Sequence, residues 1–598
     1  MTTNTPLPHL LLAAGILGTL GGAHLAPGHA LGSAASLLAQ EPPRDPPPET
    51  RLDEEDREDL FEYLNAPGTL LIPGSITVPE GTRLGGDVAI LGGNLVLGGR
   101  VEGHLVVVNG DLTFEPGARV EGDVRVVGGS LEGPEAGQVE GQVEVYDEPL
   151  RYERRDDQIV ERTDDVSMGR SLEVEAGRVT GRLSVRAGTN YNRVEGLPVQ
   201  VGPLVDTGGR NPLRVTAFGV WRSVGGLNLS RDDLGYDVQA RQSVGGRQRY
   251  AVGAGVHSEI VPVEAWGISD VEASLSTFLL RRDFRDYYER EGWRAFIEYA
   301  PYDSPVELQM EYRDDRHHFA PIRNAWALRD EDDRPWRAQP MVGEGTFRSA
   351  GLALTLDRRN DPDRPSDGWL LEGRFRAGLG GSLALPRHEP LDDEGNAQEP
   401  VDGPAVDHDV SFGLVDARRY LRLSPSSMLA VRGIMAGSLA GGVLPPQFQT
   451  ALGGIGSVPG RDPLQGDCGA RDAEAVLPDR GSEDGQRAYA GYGCDRLALL
   501  QAEYRGRFPT RWSPLPDAWS SEEWAGALDL QPRWSFFANV GRGWSLGEGV
   551  GPGTRTDTDT MADVGAGLYL GALGVYATMP VTGQQRRPGL FVRLTHRF

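Results

Sequence analysis

Along much of the C-terminal part of the chain, apolar and polar residues alternate with a period of two. In LRVTAFGVWR, Leu213, Val215, Ala217, Gly219 and Trp221 share one face, with Arg214, Thr216 and Arg222 on the other. GWRAFIEYA sets Trp293, Ala295, Ile297 and Tyr299 against Arg294 and Glu298. VELQMEYR alternates throughout, Val306, Leu308, Met310 and Tyr312 against Glu307, Gln309, Glu311 and Arg313. ALLQAEYRGRF opposes Leu500, Ala502, Tyr504 and Phe508 to Gln501, Glu503, Arg505 and Arg507. The closing stretch GLFVRLTHRF puts Leu590, Val592, Leu594 and Phe598 on one face, interrupted by His596, and Arg593, Thr595 and Arg597 on the other. Successive side chains of a strand point to opposite faces, so each segment predicts a strand with one apolar and one charged side. A soluble sandwich also alternates. Charges on every second residue of so many strands instead predict an all-β transmembrane barrel, with lipid outside and a wet lumen inside. The terminal strand signal, Phe598, fits its closing strand and places the barrel in a bacterial outer membrane.

About sixteen strands are predicted from residue 170 onward, centred near 183, 218, 239, 253, 277, 296, 309, 351, 374, 414, 432, 501, 537, 566, 576 and 594. An even number leaves both ends of the barrel on the periplasmic side. The interruptions at 314–345, 383–407 and 461–494 are polar and acidic and read as surface loops, with His317 and His318 as solvated residues of the first.

A different pattern occupies 70–147. RLGGD, RVEGH, RVEGD and QVEGQ recur at residues 83, 100, 119 and 138, with short apolar runs such as VAILGGNLVLG and LVVVNGDLTFEPG between them. Each unit is too short to bury a core alone, so the units must stack, and the solution predicted is a short parallel β-helix. This segment resembles bactofilin-type polymer-forming domains, small β-helices that assemble end to end; a short solenoid capping the barrel is the alternative. Ahead of it, residues 1–40 read as a signal peptide with an apolar core and small residues near its end, though without Lys or Arg at the start. Residues 41–69 follow as a Pro-rich linker and a short acidic helix whose apolar side is Leu60, Phe61 and Leu64. Residues 148–170 form a charged connector and 171–598 the barrel.

Composition narrows the picture. The 598 residues include 81 Gly, and 39% are hydrophobic. Mean hydropathy is −0.37, which a barrel reconciles with crossing a membrane, because only half of each strand meets lipid. A formal net charge of −26 with no basic patch argues against nucleic acid as a partner. All the basic residues in the Lys+Arg count are Arg, a bias of composition rather than function. Cys468 and Cys494 lie in one loop-like segment; in an oxidising compartment a disulfide is expected, with two free thiols as the alternative.

Three motifs carry a resemblance. In DRRNDPDRPSDGW, Asp357, Arg359, Pro362, Pro365 and Gly368 have the spacing D-x-R-x-x-P-x-x-P-x-x-G. The prolines stop one strand, Gly368 lets the backbone enter the next, and Asp357 can pair with Arg359. In LGGIGSVPGRD, Gly453, Gly454, Ser457, Val458 and Gly460 precede Arg461, and Pro459 stands between them. In FFANVG, Phe537, Asn539 and Gly541 alternate along a strand. These motifs, in this order, resemble the BamA-like outer-membrane protein assembly superfamily, also called bacterial surface antigen. The resemblance implies that 452–462 folds into the barrel lumen against the strand carrying 537–541. Pro459 and Asn539 stand where the superfamily commonly has an Arg and an acidic residue that pair inside the barrel. Losing one charge alone would strand the other at a cost of about 3–5 kcal/mol, so the joint loss is coherent, and Arg461 reaching Asn539 is the expected substitute. The superfamily's POTRA repeats are not visible, and the β-helix stands in their place.

Catalytic chemistry is poorly supported, and no enzyme is expected. GWSLG, with Ser545 at its centre, has the letters of a nucleophile elbow but is followed by loop-like sequence instead of a helix. There is no metal-binding H-E-x-x-H or C-x-x-C, and Asp330–Asp333 and Asp392–Glu394 lack a Ca²⁺-loop pattern; no cofactor is expected. The resemblance implies insertion, assembly or translocation of proteins or lipids at the outer membrane, with a seam between the strand near 179–187 and 589–598 that opens to template an incoming strand. A structural anchor for a periplasmic β-helix scaffold and a passive pore are the alternatives. Expected partners are outer-membrane lipids and lipopolysaccharide, unfolded outer-membrane proteins, or periplasmic scaffold proteins.

Overall fold

The computed structural model describes residues 52–598 with gaps, the longest at 162–168, 479–484, 509–531 and 548–556. The signal-like segment, the Pro-rich linker 41–50, the acidic stretch 330–333 and Pro362 lie outside the described residues.

Residues 70–146 form a three-sided parallel solenoid. One side stacks Leu70–Pro73, Val88–Leu91, Leu105–Val108, Val124–Val127 and Val143–Tyr146 in register. A second stacks Ile76–Val78, Leu95–Leu97, Leu112–Phe114 and Leu131–Glu132, and a third Arg83–Leu84, Arg100–Val101 and Arg119–Val120. The repeat is explained position by position. Its second residue, at Val101 and Val120, lies in a core shared with Val88, Leu105, Val107 and Val124. Its fifth residue caps the backbone of the next coil: Asp87 accepts from the His104 N–H at 2.8 Å, His104 Nδ1 from the Asp123 N–H at 3.0 Å, and Asp123 from the Gln142 N–H at 2.8 Å. Gly110 and Gly129 sit at corners where a Cβ would come 1.8 Å from the carbonyl oxygen of the coil below, so only glycine fits.

The acidic helix α1 (Glu54–Asn65) docks on the solenoid. Its Leu60 and Leu64 pack on Ala89, Leu91, Val106, Val108, Val127 and Tyr146, the outward side chains of the five-stranded sheet. That sheet is covered on both faces, which is why its strands read as continuous apolar runs.

The rest of the chain builds one large antiparallel sheet. Its strands are β1 (Gly169–Ala176), β2 (Val179–Ala187), β3 (Pro198–Asp206), β4 (Leu213–Arg222), β5 (Leu234–Val244), β6 (Tyr250–Pro262), β7 (Tyr287–Tyr299), β8 (Val306–Phe319), β9 (Glu344–Asp357), β10 (Gly368–Ala384), β11 (Ser411–Ser424), β12 (Ser427–Ser438), β13 (Arg496–Arg507), β14 (Arg533–Trp544), β15 (Met561–Leu570), β16 (Leu573–Pro580) and β17 (Gly589–Arg593). Each pairs with the next in sequence, and a two-residue piece, Ala405–Val406, extends the edge of β10. One rim has short turns, apart from 508–532. The other carries the long loops 263–286, 320–343, 385–410 and 439–495.

The alternation has the predicted sense. On β13, Gln501, Glu503 and Arg505 are buried in the interior while Leu500 and Tyr504 are exposed outside; on β7 and β8, Trp293, Ile297 and Met310 are exposed. Val201, Val238, Val252, Leu352, Phe536, Val564 and Val575 continue the same apolar exterior. A contiguous apolar surface on this scale is the wall of a membrane-spanning barrel.

Five expectations need correction. The described sheet has seventeen strands instead of an even number, so Gly169 at the start of β1 and Arg593 at the end of β17 stand at opposite rims instead of sharing one. The strand predicted near 277 is a helix, α2 (Asp270–Leu280). β1 and β3 were not predicted; β3 begins at Pro198 and contains Gly202 and Pro203, so its alternation is broken. The region 314–345 is not all loop, because β8 runs to Phe319, and His317 is buried beside Phe347 and Phe448 instead of solvated. The seam partner of β2 is β1, and among the described residues the edge strands β1 and β17 form no ladder with each other.

Candidate functional site

The loop between β12 and β13 enters the barrel. Its base is held by the Cys468–Cys494 disulfide and by backbone pairing of Thr450 with Cys494 and of Leu452 with Gly466. Gly453 and Gly454 have φ of +111° and +84°, a left-handed conformation glycine adopts without strain. They let the chain reverse so that the Gly453 N–H donates to Ser457 Oγ at 2.8 Å and the Gly454 N–H to the Arg461 carbonyl at 3.1 Å. Leu452 and Val458 are fully buried against Ile434, Leu497, Leu499 and Met561, inward residues of β12, β13 and β15.

The strand motif meets this loop from the wall. Phe537, Asn539 and Gly541 all face inward on β14, and a Cβ on Gly541 would come 3.1 Å from Leu452. Asn539 is the hub. Its Nδ2 donates to Asp563 Oδ1 at 2.6 Å, while its Oδ1 accepts from Gln501 Nε2 at 3.2 Å and from an Arg597 guanidinium N–H at 2.8 Å. Those neighbours fix the orientation of the amide. Gln501 also donates to the Ser457 carbonyl at 2.8 Å, and Asp563 Oδ2 accepts from the Gly460 N–H at 2.5 Å. Arg461 does not reach Asn539; it bonds the carbonyl and hydroxyl of Thr582. The acidic and basic groups missing from the two motifs are thus supplied by Asp563 on β15 and Arg597. The contact with Asp563 is made by the backbone N–H of Gly460, the residue after Pro459.

Arg597 arrives by a route the sequence did not suggest. Phe598 was expected on the lipid face of the closing strand, but β17 ends at Arg593 and 597–598 lie inside the lumen. Phe598 packs on Tyr420 and Ala430, and its carbonyl accepts from Arg505 at 2.9 Å. Arg597 sits 3.8 Å over the Phe537 ring, a cation–π contact that secures the tail to the strand motif. Leu590 and Val592 keep their outward exposure.

Loops at the long-loop rim converge on one buried carboxylate. Asp286 accepts from Arg193 at 2.5 Å, Arg337 at 2.7 Å and Arg471 at 2.6 Å, one arginine from each of three different loops. Burial alone would raise its pKa, but the three guanidiniums outweigh it and hold the carboxyl well below the usual range. Glu264 links loop 263–286 to the lumen loop, accepting from the Ala451 N–H and the Tyr492 hydroxyl, both at 3.0 Å. Burial pushes its carboxyl up to about 7, against those two bonds, which lower it.

At the opposite rim the turn motif is well formed. Arg359 Nε and Nη2 donate to the two Asp357 oxygens at 2.9 and 2.6 Å, a bidentate pair. Pro365 is buried, and Gly368 has φ of +113° where a Cβ would come 2.1 Å from the Arg358 carbonyl. Asp563, Arg597, Gln501 and Arg593 were missed as site residues. The inward parity of Gln501 and Arg593 was visible in their strands, but their partners are set by tertiary structure.

No family model matches the chain, and no curated protein matches it. Among solved structures it is similar to BamA from Haemophilus ducreyi lacking POTRA domains 1–3, at 13% identity and a TM-score of 0.38, over 77% of this chain and 72% of that one. It is also similar to CdiB from Escherichia coli, at 12% identity and a TM-score of 0.30, over 74% of this chain and 66% of that one. CdiB from Acinetobacter baumannii gives 11% identity and a TM-score of 0.27, over 71% of this chain and 65% of that one. The chain therefore spans just under two thirds of the length of the CdiB chains, and what it is similar to is a set of large β-barrels that includes BamA and CdiB.

Proposed function

We propose that this protein is an outer-membrane barrel that takes part in the insertion, assembly or translocation of proteins at that membrane, without enzymatic chemistry of its own. The observation that carries the reading is the pair of unjoined sheet edges. β17 is five residues long and, among the described residues, pairs on one side only, with β16. An unpaired strand edge is a template for another strand. The apolar exterior supports a bilayer location, and the lumen loop with its motif residues in contact supports the BamA-like resemblance. In this reading the solenoid belongs in the periplasm.

The test places purified protein in liposomes and times the folding of an added, unfolded small outer-membrane barrel. Acceleration over empty liposomes and over a passive porin is the expected result; none, with the barrel itself folded, overturns the assembly role. A second reading, an anchor for a solenoid scaffold, is favoured by the solenoid's own sealed core. Deleting 70–147 separates the two, since an anchor loses all function and an insertase keeps some.

A further inference from the structure

Helix α2 is built inside out. Its buried face carries Glu272, Ala273 and Thr277, which are 6%, 0% and 0% exposed. Its exposed face carries Val271, Leu275, Phe278 and Leu279, spaced i, i+4, i+7, i+8, followed by Leu280. A helix on a soluble protein turns its apolar stripe inward and its polar one to water; this one does the reverse. The two acidic residues of its first turn are both neutralised, Asp270 by Arg285 at 2.6 Å and Glu272 by Arg593 at 2.7 Å. Its N-terminus is closed by a capping box between Ser269 and Glu272.

Its position is as informative as its composition. Glu272 accepts the Leu594 N–H at 2.9 Å, just where the chain leaves β17, so the helix caps the backbone of that strand end. Two residues on, Ser274 Oγ accepts the Tyr191 N–H at 2.8 Å, in the segment that follows β2. The helix therefore touches the end of one edge strand, β17, and the segment that follows β2, the neighbour of the other edge strand. The Tyr191 and Trp326 rings flank Phe278 at 5.5 and 5.0 Å, extending the apolar face with the amphipathic aromatics that favour a membrane–water boundary. On these strands the exterior is already apolar, with Leu590 and Val592 on β17 and Leu183 and Val185 on β2 exposed.

We propose that α2 is a helical segment of the barrel wall, standing beside the end of β17 and presenting Val271, Leu275, Phe278, Leu279 and Leu280 to lipid acyl chains. This rests on the membrane-spanning reading of the barrel and not on the assembly activity. Continuity with the lipid-facing strands selects acyl chains as the occupant over a second copy or a partner protein.

The natural cysteines are paired, so a single introduced cysteine takes a fluorophore. Leu275→Cys, Leu500→Cys on the outer face of β13 and Asp392→Cys in an exposed loop turn are labelled in the full chain. Each is reconstituted in vesicles of phosphatidylcholine with brominated acyl chains, and iodide serves as the aqueous quencher. The label at 275 is expected to lose fluorescence to brominated lipid to the same extent as that at 500, and to resist iodide. Iodide quenching like that at 392 overturns the proposal, and so does shielding from both quenchers, which assigns the face to a protein partner. If the label at 500 escapes the brominated lipid, the membrane wall itself fails and the assembly reading falls with it; lipid quenching at 500 but not at 275 rejects the helix alone.

Discussion

The solenoid and the barrel are made from the same elements and are opposite in sense. In the solenoid, valine and leucine point inward and Asp, His and Arg outward, so the core is dry and the surface wet. In the barrel the order is reversed, with Leu500, Phe536 and Leu590 outside and Glu503, Arg505 and Asp563 within. Strands build both, parallel in the solenoid and antiparallel in the barrel, and the parity of the side chains decides which solvent each face meets. A charge is thus destructive inside one and ordinary inside the other.

Several substitutions break or sharpen that contrast. The largest effect is expected from Val107→Asp, which puts an unpaired charge in the sealed solenoid core. It should cost about 4 kcal/mol or more and open 70–147 to limited proteolysis, while the barrel keeps its heat-dependent gel mobility. Inside the barrel the damaging change is the loss of a charge. Asp286→Asn removes the charge shared by Arg193, Arg337 and Arg471, with Asp283 at 3.3 Å still facing Arg193, and should cost about 3–5 kcal/mol, read as new protease cuts in 263–286 and 320–343. Leu500→Arg, on the outer face, should cost roughly 2–4 kcal/mol in chemical denaturation from liposomes, although the same strand carries an arginine on its inner face, five residues on at Arg505.

The smallest effect is set by pH. The Glu264 carboxyl is raised in the folded state, so its contribution is complete below its ordinary value near 4.5 and is lost as pH climbs through about 7. The shift is equivalent to roughly 3 kcal/mol at most. Protease access to 449–467 should therefore rise between pH 5 and pH 8, and Glu264→Gln should flatten that rise. An unchanged profile in the variant would assign the pH dependence elsewhere.

The legibility of the fold followed the same contrast. Strands such as β8 and β13 could be read because both faces are constrained, one by lipid and one by the lumen. The solenoid could be read because its fifth repeat residue must cap the next coil. β3 escaped because Pro203 and Gly202 interrupt its alternation. α2 was mistaken for a strand because Val271, Ala273 and Leu275 alternate with polar residues, and because its apolar face lies where a soluble helix would be polar. The lumen loop could be anticipated from Gly453, Gly454 and Ser457. Its anchoring could not, since Asp563 is set opposite Asn539 by the register of β14 and β15, and Arg597 reaches it only because the tail turns into the lumen.

Asn539 also ties together two parts of the molecule that would otherwise move separately. One carbonyl oxygen serves Arg597 from the tail and Gln501, which itself holds the lumen loop through the Ser457 carbonyl. Anything that draws the tail out of the lumen removes the cation from that oxygen and changes the loop's hold on the wall. Coupling of this kind runs equally in both directions: whatever dislodges the loop must loosen the tail by the same free energy. An event at the edge of β17 is therefore felt at the centre of the barrel without any rearrangement of the strands between them.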